Sequence, residues 1–309
     1  IVLRALLLVC ALMSGIFEGT MVFASTATVA RGTVGDITWL LDTDGVLTFE
    51  GKGNFAAYEA GKVPWSPYQK DIKRVVFQMA AVTGGDISYY FYNCSGLRSV
   101  NNIPSGIKRM EGTFKNCGRL TVVGSLPESV ISLKETFKNC VEINCEIVVP
   151  EKVEKGDGAF DGCTSLTYTP VIRTDLITDM TYMFRNTDIT AAPRIPQKAK
   201  IMEGTFQGCI SLKGAPSLPL SLENMSHTFY GCTNLTTASA IPAKVYDMSY
   251  CYAGCTKLAS APVISSTSLQ DMGYCFYQCL KMENAPSIPE TVRNMQYAFW
   301  GCTNMQNAP

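Results

Sequence analysis

The chain has 309 residues, of which 47% are hydrophobic and 17% are charged, and such a composition is typical of a protein with a large buried core. Its 26 basic and 26 acidic residues cancel. This balance argues against a nucleic-acid-binding protein, because neutralising phosphates takes a surplus of basic residues. The length fits two ordinary domains or one elongated domain.

Residues 1–24 have the features of a secretory signal peptide. Arg4 precedes an apolar run from Ala5 to Met13, and cleavage fits best after Ala24. The apolar run is too short for a membrane-spanning helix, which takes about 20 residues. The sequence therefore predicts an exported protein, extracellular or at the cell surface, with no membrane span in the mature chain.

Residues 25–86 predict a small N-terminal β cap. Residues 37–41 and 46–49 alternate in the manner of strands, and Asp44 and Gly45 between them are a hairpin signal. Residues 72–77 predict a third strand. The alternative is an independent binding domain, although about 50 residues is marginal for a separate fold.

Residues 87–309 repeat with a period of 22 to 24 residues. Three residues after each repeated aromatic stands a cysteine, except in the fifth repeat, where Thr187 replaces it and one residue is missing before Ile189. A leucine, isoleucine or methionine usually follows three residues later. The aromatic positions are Phe91, Phe114, Phe137, Phe160, Phe184, Phe206, Phe229, Tyr252, Phe276 and Phe299.

About ten such units predict a solenoid. One unit is too small to bury its own apolar face, so each fixed apolar position becomes a continuous column when the units stack. We expect one short parallel strand per coil, with prolines at the strand ends. The chain stops partway through a repeat, and we expect the natural protein to continue beyond residue 309.

The unit resembles the leucine-rich repeat of the BspA-like family of bacterial surface proteins. The aromatic-x-x-Cys-x-x-Leu pattern of that family appears in residues 228–235 and 298–305, and proline-flanked segments lie at residues 215–219 and 285–289. Residues 35–48 resemble the leader that precedes the repeats, with Val34 where the family often has cysteine. The resemblance implies a leucine-rich-repeat solenoid and a role in adhesion to host matrix proteins or other microbes.

Most of the thirteen cysteines lie at the repeated core position. We therefore interpret them as buried thiols that face loop backbone. Two alternatives stay open at the C-terminal end, namely a zinc site and a disulfide between Cys251 and Cys275. The zinc site would use Cys251, Cys255, Cys275 and Cys279. The favoured interpretation includes no metal and no cofactor.

No catalytic residue is predicted. His227, the only histidine, occupies a position where other repeats carry Tyr182, Tyr250, Tyr274 or Tyr297, so it resembles a tyrosine variant more than a catalytic base. A glycine loop that could cradle phosphate is absent from the sequence.

The position after the core aromatic suggests a binding surface. It holds Tyr92, Tyr230, Tyr277 and Trp300, and elsewhere lysine, arginine or glutamine. Such mixed occupancy indicates exposure, and tyrosine and tryptophan are enriched in recognition surfaces. The candidate ligand-binding residues are Tyr230, Tyr277 and Trp300. The alternative is that these rings only stack between coils and stabilise the array.

The sequence thus predicts a non-enzymatic, adhesin-like surface protein that binds a macromolecule, a protein or a glycan, through its repeats. A glycan-binding module is the first alternative, and it requires Tyr277 and Trp300 to be exposed and coplanar. The second alternative makes the repeats the targeting arm of a longer secreted enzyme.

Overall fold

The structure, a computed structural model, describes residues 26–307, so the predicted signal peptide at residues 1–24 lies outside the described residues. The described chain begins with β1 (Thr28–Val34), β2 (Ile37–Asp42), β3 (Val46–Phe55) and β4 (Arg74–Asp86). Strands β1, β2 and β3 pair antiparallel, which confirms the predicted hairpin, and β3 pairs parallel with β4. Gly45 in the hairpin turn has a φ of 80°, a value that favours glycine.

The N-terminal sheet continues directly into the repeats. Strand β4 pairs with β5 (Ser99–Asn101) and with β6 (Ile107–Arg109), both in parallel. Between β3 and β4 lies a 3₁₀-helix, Ser66–Tyr68, preceded by the buried Trp65. The Trp65 indole donates a hydrogen bond to the carbonyl of Tyr90 at 2.9 Å. The strands therefore share one hydrophobic core with the first coil.

Ten coils follow in the described chain, and each is centred on one repeated aromatic. We number them 1 to 10, from Phe91 to Phe299. The ten rings form a single column in which neighbouring ring centroids lie 5.3–5.7 Å apart and ring planes differ by at most 17°. The predicted leucine-rich-repeat solenoid is confirmed.

The described coils contain fewer strands than the one per coil that we expected. Strand β7 (Val122–Val123) extends the first sheet, and β8 (Val148–Val149) pairs with β9 (Val171–Ile172) in a second one. In the later described coils, the β pairing consists of isolated parallel bridges. The proline-flanked segments explain the difference, since proline donates no hydrogen bond to a ladder. No helix of residues 26–307 has the length and hydrophobicity needed to cross a membrane.

Hydrogen bonds between coils concentrate in the turn around each aromatic. In coil 2, alternate N–H groups donate to coil 3 at 2.8–2.9 Å, from Gly112 to Lys134, from Phe114 to Thr136 and from Asn116 to Lys138. The N–H groups between them donate to carbonyls three residues back in the same coil. We call the residue two before the core aromatic position −2. The alternation of hydrogen bonds places its backbone in the left-handed region of φ and ψ, with φ between 50° and 61° in all ten coils.

The cysteine column is buried except at the half-buried Cys302, and eight of its nine thiols are hydrogen-bonded to backbone. Eight thiols donate to the carbonyl of the core aromatic one coil earlier, at 2.9–3.1 Å, as Cys117 does to Phe91. Burial raises the pKa of the Cys209 thiol to about 11. The interpretation as buried thiols facing loop backbone is confirmed.

The four cysteines considered for zinc are buried, and they occupy the position before the core aromatic and the position three residues after it in coils 8 and 9. Cys251 and Cys275, considered for a disulfide, are free thiols in this structure. Among residues 26–307, no group of three or more histidine, cysteine, aspartate or glutamate side chains is placed to hold a metal ion.

Thiol accessibility tests the cysteine columns. Among the cysteines of residues 26–307, we expect only the half-buried Cys145 and Cys302 to react with a thiol reagent in the native chain, because burial blocks access to the others. Mass spectrometry after timed labelling identifies the reacted sites, and unfolding in urea should expose the rest. Rapid native labelling of Cys251 or Cys275 would contradict the structure.

Tyr252 offers a test of the aromatic column. Its hydroxyl is buried without a hydrogen-bond partner, and every other core aromatic of the coils is phenylalanine. We expect Tyr252→Phe to raise the free energy of unfolding by about 1 kcal/mol, because a buried unpaired hydroxyl is removed. Phe276→Tyr in the next coil is the matched control and should lower it. Urea denaturation measures both, and destabilisation by Tyr252→Phe would contradict the prediction.

Candidate functional site

Two side-chain columns lie next to each other on one surface of the solenoid. They come from position −2 and from position +1, the residue after the core aromatic. Within a single coil, the side chains at these two positions contact each other. The ring centroids of Tyr89 and Tyr92 lie 6.2 Å apart, and those of Tyr274 and Tyr277 lie 5.6 Å apart. We call these two columns the outer face.

Charged side chains occupy the outer face in coils 2 to 5, and they form ion pairs with each other. The Glu135 carboxylate accepts hydrogen bonds from Lys115 at 2.6 Å and from Lys138 at 2.7 Å. Burial opposes the ionised form of Glu135, but these two bonds hold its pKa below the ordinary value. Arg185 forms a bidentate ion pair with Asp161, in which its Nε atom donates to Oδ1 at 2.8 Å and its Nη2 atom donates to Oδ2 at 2.7 Å. The Arg185 guanidinium also lies over the ring of Tyr182.

Position −2 alternates between large residues and glycine in the first six coils. A Cβ atom at Gly112 would lie 2.4 Å from the ring of Tyr89, and one at Gly204 would lie 2.4 Å from the ring of Tyr182. Glycine therefore makes room for the side chain of the preceding coil, and it also suits the left-handed backbone. From coil 7 onward this alternation stops.

Coils 7 to 10 carry aromatic side chains at position −2 without interruption. His227 stacks on Tyr250 at 4.7 Å, Tyr250 on Tyr274 at 4.5 Å, and Tyr274 meets Tyr297 at 5.1 Å. The adjacent position +1 adds three more aromatic rings. The aromatic face is therefore defined by His227, Tyr230, Tyr250, Tyr274, Tyr277, Tyr297 and Trp300.

The three predicted binding residues all lie on the aromatic face. Tyr230 is 41% exposed and Trp300 is 53% exposed, whereas Tyr277 is half-buried. Trp300 belongs to coil 10, and no described coil covers its outer side. The structure brings Tyr277 and Trp300 together, but it separates Tyr230 from them by one coil, in which Ala253 holds position +1.

The coplanar arrangement that the glycan-binding alternative requires is not found, and the rings stack between coils, as the other alternative expects. The rings of Tyr277 and Trp300 are parallel, with an angle of 11° between their planes, but they stack face to face with centroids 4.9 Å apart. The physical reason is that equivalent residues of successive coils lie one above the other along the solenoid. In the neighbouring column at position −2, the stacked rings of Tyr250 and Tyr274 present their edges rather than their faces to solvent.

Sequence reasoning placed Tyr250, Tyr274 and Tyr297 near the surface strip but did not identify the stacked column at position −2. The sequence nevertheless contains a signal for the backbone conformation at this position. Glycine fills this position in coils 2, 4 and 6, and a residue that alternates with glycine at a fixed position indicates left-handed backbone.

The aromatic face carries little charge. In the turns that form it, residues 224–231, 247–254, 271–278 and 294–301, the only fully charged residues are Asp247 and Asp271. Each carboxylate accepts the N–H group two residues further on, at 2.8 and 2.7 Å. Lysine and arginine do not occur in these four turns, so the face is aromatic and weakly acidic.

The comparisons with known proteins agree with this architecture. The model of the BspA type leucine rich repeat region matches residues 87–213 and 180–306, in six copies. No curated protein matches the chain.

Two solved structures illustrate the likeness. A leucine-rich repeat protein from Bacteroides ovatus is 21% identical, with a TM-score of 0.52, over 88% of this chain and 92% of that one. A leucine rich cell surface protein from Faecalibacterium prausnitzii is 20% identical, with a TM-score of 0.43, over 91% of this chain and 94% of that one. The first of these likenesses supports the solenoid fold.

His227 makes the stability of the aromatic face depend on pH. Burial lowers its pKa, although the carboxylates of Glu203 and Asp247 act in the opposite direction. The unfolded chain therefore binds the proton more readily, and stability should fall as the pH drops below about 6.5, the ordinary pKa of histidine.

The matched variant is His227→Tyr, which continues the tyrosine column. Urea denaturation at pH 7 and pH 5 should show a larger loss of unfolding free energy at pH 5 in the native sequence than in the variant. Equal losses in the two proteins would contradict the assignment of this effect to His227.

Proposed function

Because the chain belongs to the BspA-type leucine-rich repeat family, we propose that it is an exported, adhesin-like protein of the cell surface. In this proposal it binds another protein through the aromatic face, with Tyr230, Tyr277 and Trp300 among the contact residues. The predicted signal peptide at residues 1–24 supports export. A solenoid offers an extended surface, which suits macromolecular ligands.

The uninterrupted aromatic column at position −2 is the observation that carries the proposal. Left-handed backbone costs a residue other than glycine about 1 kcal/mol or more. Coils 2, 4 and 6 avoid this cost with Gly112, Gly158 and Gly204, whereas coils 7 to 10 keep four aromatic residues there. Strained backbone that persists at one surface supports a functional role for the side chains it holds.

The chemistry of the face favours a protein over a glycan. Stacking between His227 and Tyr274 covers both ring faces of Tyr250, against which a sugar would pack, whereas Trp300 at the end of the described coils keeps one face open. Tyrosine and tryptophan with few charges are the composition enriched at the centres of protein interfaces. Glycan binding is thus an outcome to be tested rather than our proposal.

We propose a non-enzymatic role for the repeats. A Cys–His site needs a thiol in contact with the imidazole. Here His227 stacks on Tyr250, and the thiols of Cys232 and Cys255 donate to backbone carbonyls in the core. Burial also raises the pKa values of these two thiols well above the ordinary range.

A binding screen tests this function. Residues 25–309 are applied to immobilised matrix proteins and to a glycan array, together with the variants Tyr230→Ala, Tyr277→Ala and Trp300→Ala. We expect saturable binding to a protein and a loss of about tenfold in affinity for at least one variant, because hot-spot aromatics contribute this much. Surface plasmon resonance measures the affinities.

The matched control is Tyr168→Ala in coil 4. Tyr168 is 52% exposed and lies off the outer face, so its removal should leave binding unchanged. Protein binding that none of the three variants weakens would remove the aromatic face from the proposal. Binding to glycans alone, lost in Trp300→Ala or Tyr277→Ala, would replace our proposal by a lectin-like function.

A further inference from the structure

The tyrosine stack at position −2 has a chemical property that protein binding does not use. Tyr250 and Tyr274 occupy equivalent positions in coils 8 and 9, and their ring centroids lie 4.5 Å apart with an angle of 4° between the ring planes. Both side chains are half-buried, so each ring keeps part of its surface in contact with solvent. The stack therefore holds two oxidisable phenols in contact with each other at the surface.

The backbone keeps the two rings in this arrangement. The Tyr250 N–H donates to the carbonyl of Gly273 at 2.9 Å, and the Tyr252 N–H donates to the carbonyl of Cys275 at 2.8 Å. Tyr250 and Tyr274 share the left-handed conformation, with φ of 55° and 56°. Since the two residues have the same conformation in successive coils and parallel rings, each ortho carbon, Cε, of one ring lies about one ring spacing, 4.5 Å, from the equivalent carbon of the other.

Other tyrosine pairs of the described stack are less well placed for a reaction between rings. Tyr274 and Tyr297 have centroids 5.1 Å apart, but their planes are inclined by 37°. Tyr274 and Tyr277, within one coil, lie 5.6 Å apart with an angle of 47°. The other face of Tyr250 is covered by His227, an imidazole that carries no phenol. The geometry therefore singles out the pair formed by Tyr250 and Tyr274.

We propose that Tyr250 and Tyr274 form an intramolecular dityrosine cross-link when the protein meets hydrogen peroxide and a haem peroxidase. The peroxidase removes one electron and one proton from each phenol, and the peroxide takes up both electrons and both protons and becomes two water molecules. Each phenoxyl radical shares its unpaired electron with its ortho carbons, so a bond forms between one Cε atom of each ring. The hydrogen atoms on those two carbons then move to the phenol oxygens, and the protein has lost two hydrogen atoms in total.

Proximity favours this bond over links between molecules. Two groups that are held near reacting distance behave as if they were present at very high concentration, so the intramolecular step outruns a bimolecular one in dilute protein. The rings must turn out of their parallel stack as the bond forms, and half-buried side chains at the surface have room to do so. The cross-link would tie coils 8 and 9 together within the aromatic face. This assignment does not depend on the proposed binding role.

Oxidation of residues 25–309 in dilute solution tests the site. The protein is treated with a haem peroxidase and hydrogen peroxide, the monomer is isolated by gel filtration and digested, and cross-linked peptides are identified by mass spectrometry. We expect a monomer with the blue fluorescence of dityrosine, and a peptide pair that joins Tyr250 to Tyr274 and lacks the mass of two hydrogen atoms. The yield of this pair per molecule should not depend on protein concentration, because the reaction is intramolecular.

Four variants separate the effect of stacking from that of exposure. Tyr250→Phe and Tyr274→Phe keep an aromatic ring in the stack but remove the phenol, and each should abolish this product. Tyr246→Phe is the matched control, because Tyr246 is 44% exposed but lies outside the stack, and it should leave the yield unchanged. His227→Tyr places a phenol on the other face of Tyr250, where the ring centroids lie 4.7 Å apart, and should add a second product that joins positions 227 and 250.

The assignment would be overturned by dityrosine that forms only between molecules, or by a monomer cross-link that joins Tyr274 to Tyr277 or Tyr297 instead. An unchanged product in Tyr250→Phe, a yield that falls in Tyr246→Phe, or no second product in His227→Tyr would do the same, and circular dichroism shows whether each variant is folded. Since no partner protein is added, a missing cross-link leaves the proposed function standing, and a negative binding screen leaves the cross-link result standing.

Discussion

The alternation of hydrogen bonds in the turn around each core aromatic is the constraint on which this solenoid depends. Every second N–H group donates to the next coil, and the groups between close short turns within the coil. That pattern requires left-handed backbone two residues before the aromatic, and the structure repeats it in all ten coils. Strands contribute little beyond coil 4, so the stacked turns and the aromatic column hold the later coils together.

This backbone fixes the residue type at some positions in the core and leaves it free to vary at other positions on the surface. The core aromatic and the cysteine are fixed by stacking and by a thiol-to-carbonyl hydrogen bond, as between Cys140 and Phe114. Positions −2 and +1 point outward and can vary. In coils 2 to 5 they hold paired charges such as Arg185 and Asp161, and in coils 7 to 10 they hold aromatic rings. The same repeated backbone therefore presents a charged surface in coils 2 to 5 and an aromatic surface in coils 7 to 10.

The core was predictable from the sequence because its spacing is regular. The aromatic and cysteine columns, the solenoid and the hairpin at Asp44 and Gly45 all follow from residue type and interval. The relative placement of rings in successive coils does not follow from interval alone. Stacking of Tyr277 on Trp300 between coils was one of two interpretations that the sequence left open, and the column from His227 to Tyr297 was not recognised.

Departures from the repeat are where a regular solenoid can acquire specificity. Ten equivalent coils present the same groups at equal spacing, so a partner could slide by one coil at little cost. The change from charged to aromatic side chains after coil 6 gives the surface a direction, since Gly204 is followed by His227 and three tyrosines at the same position. In the binding role that we propose, this polarity along the axis would help to fix the register of a bound partner, which a perfectly repeating surface could not do.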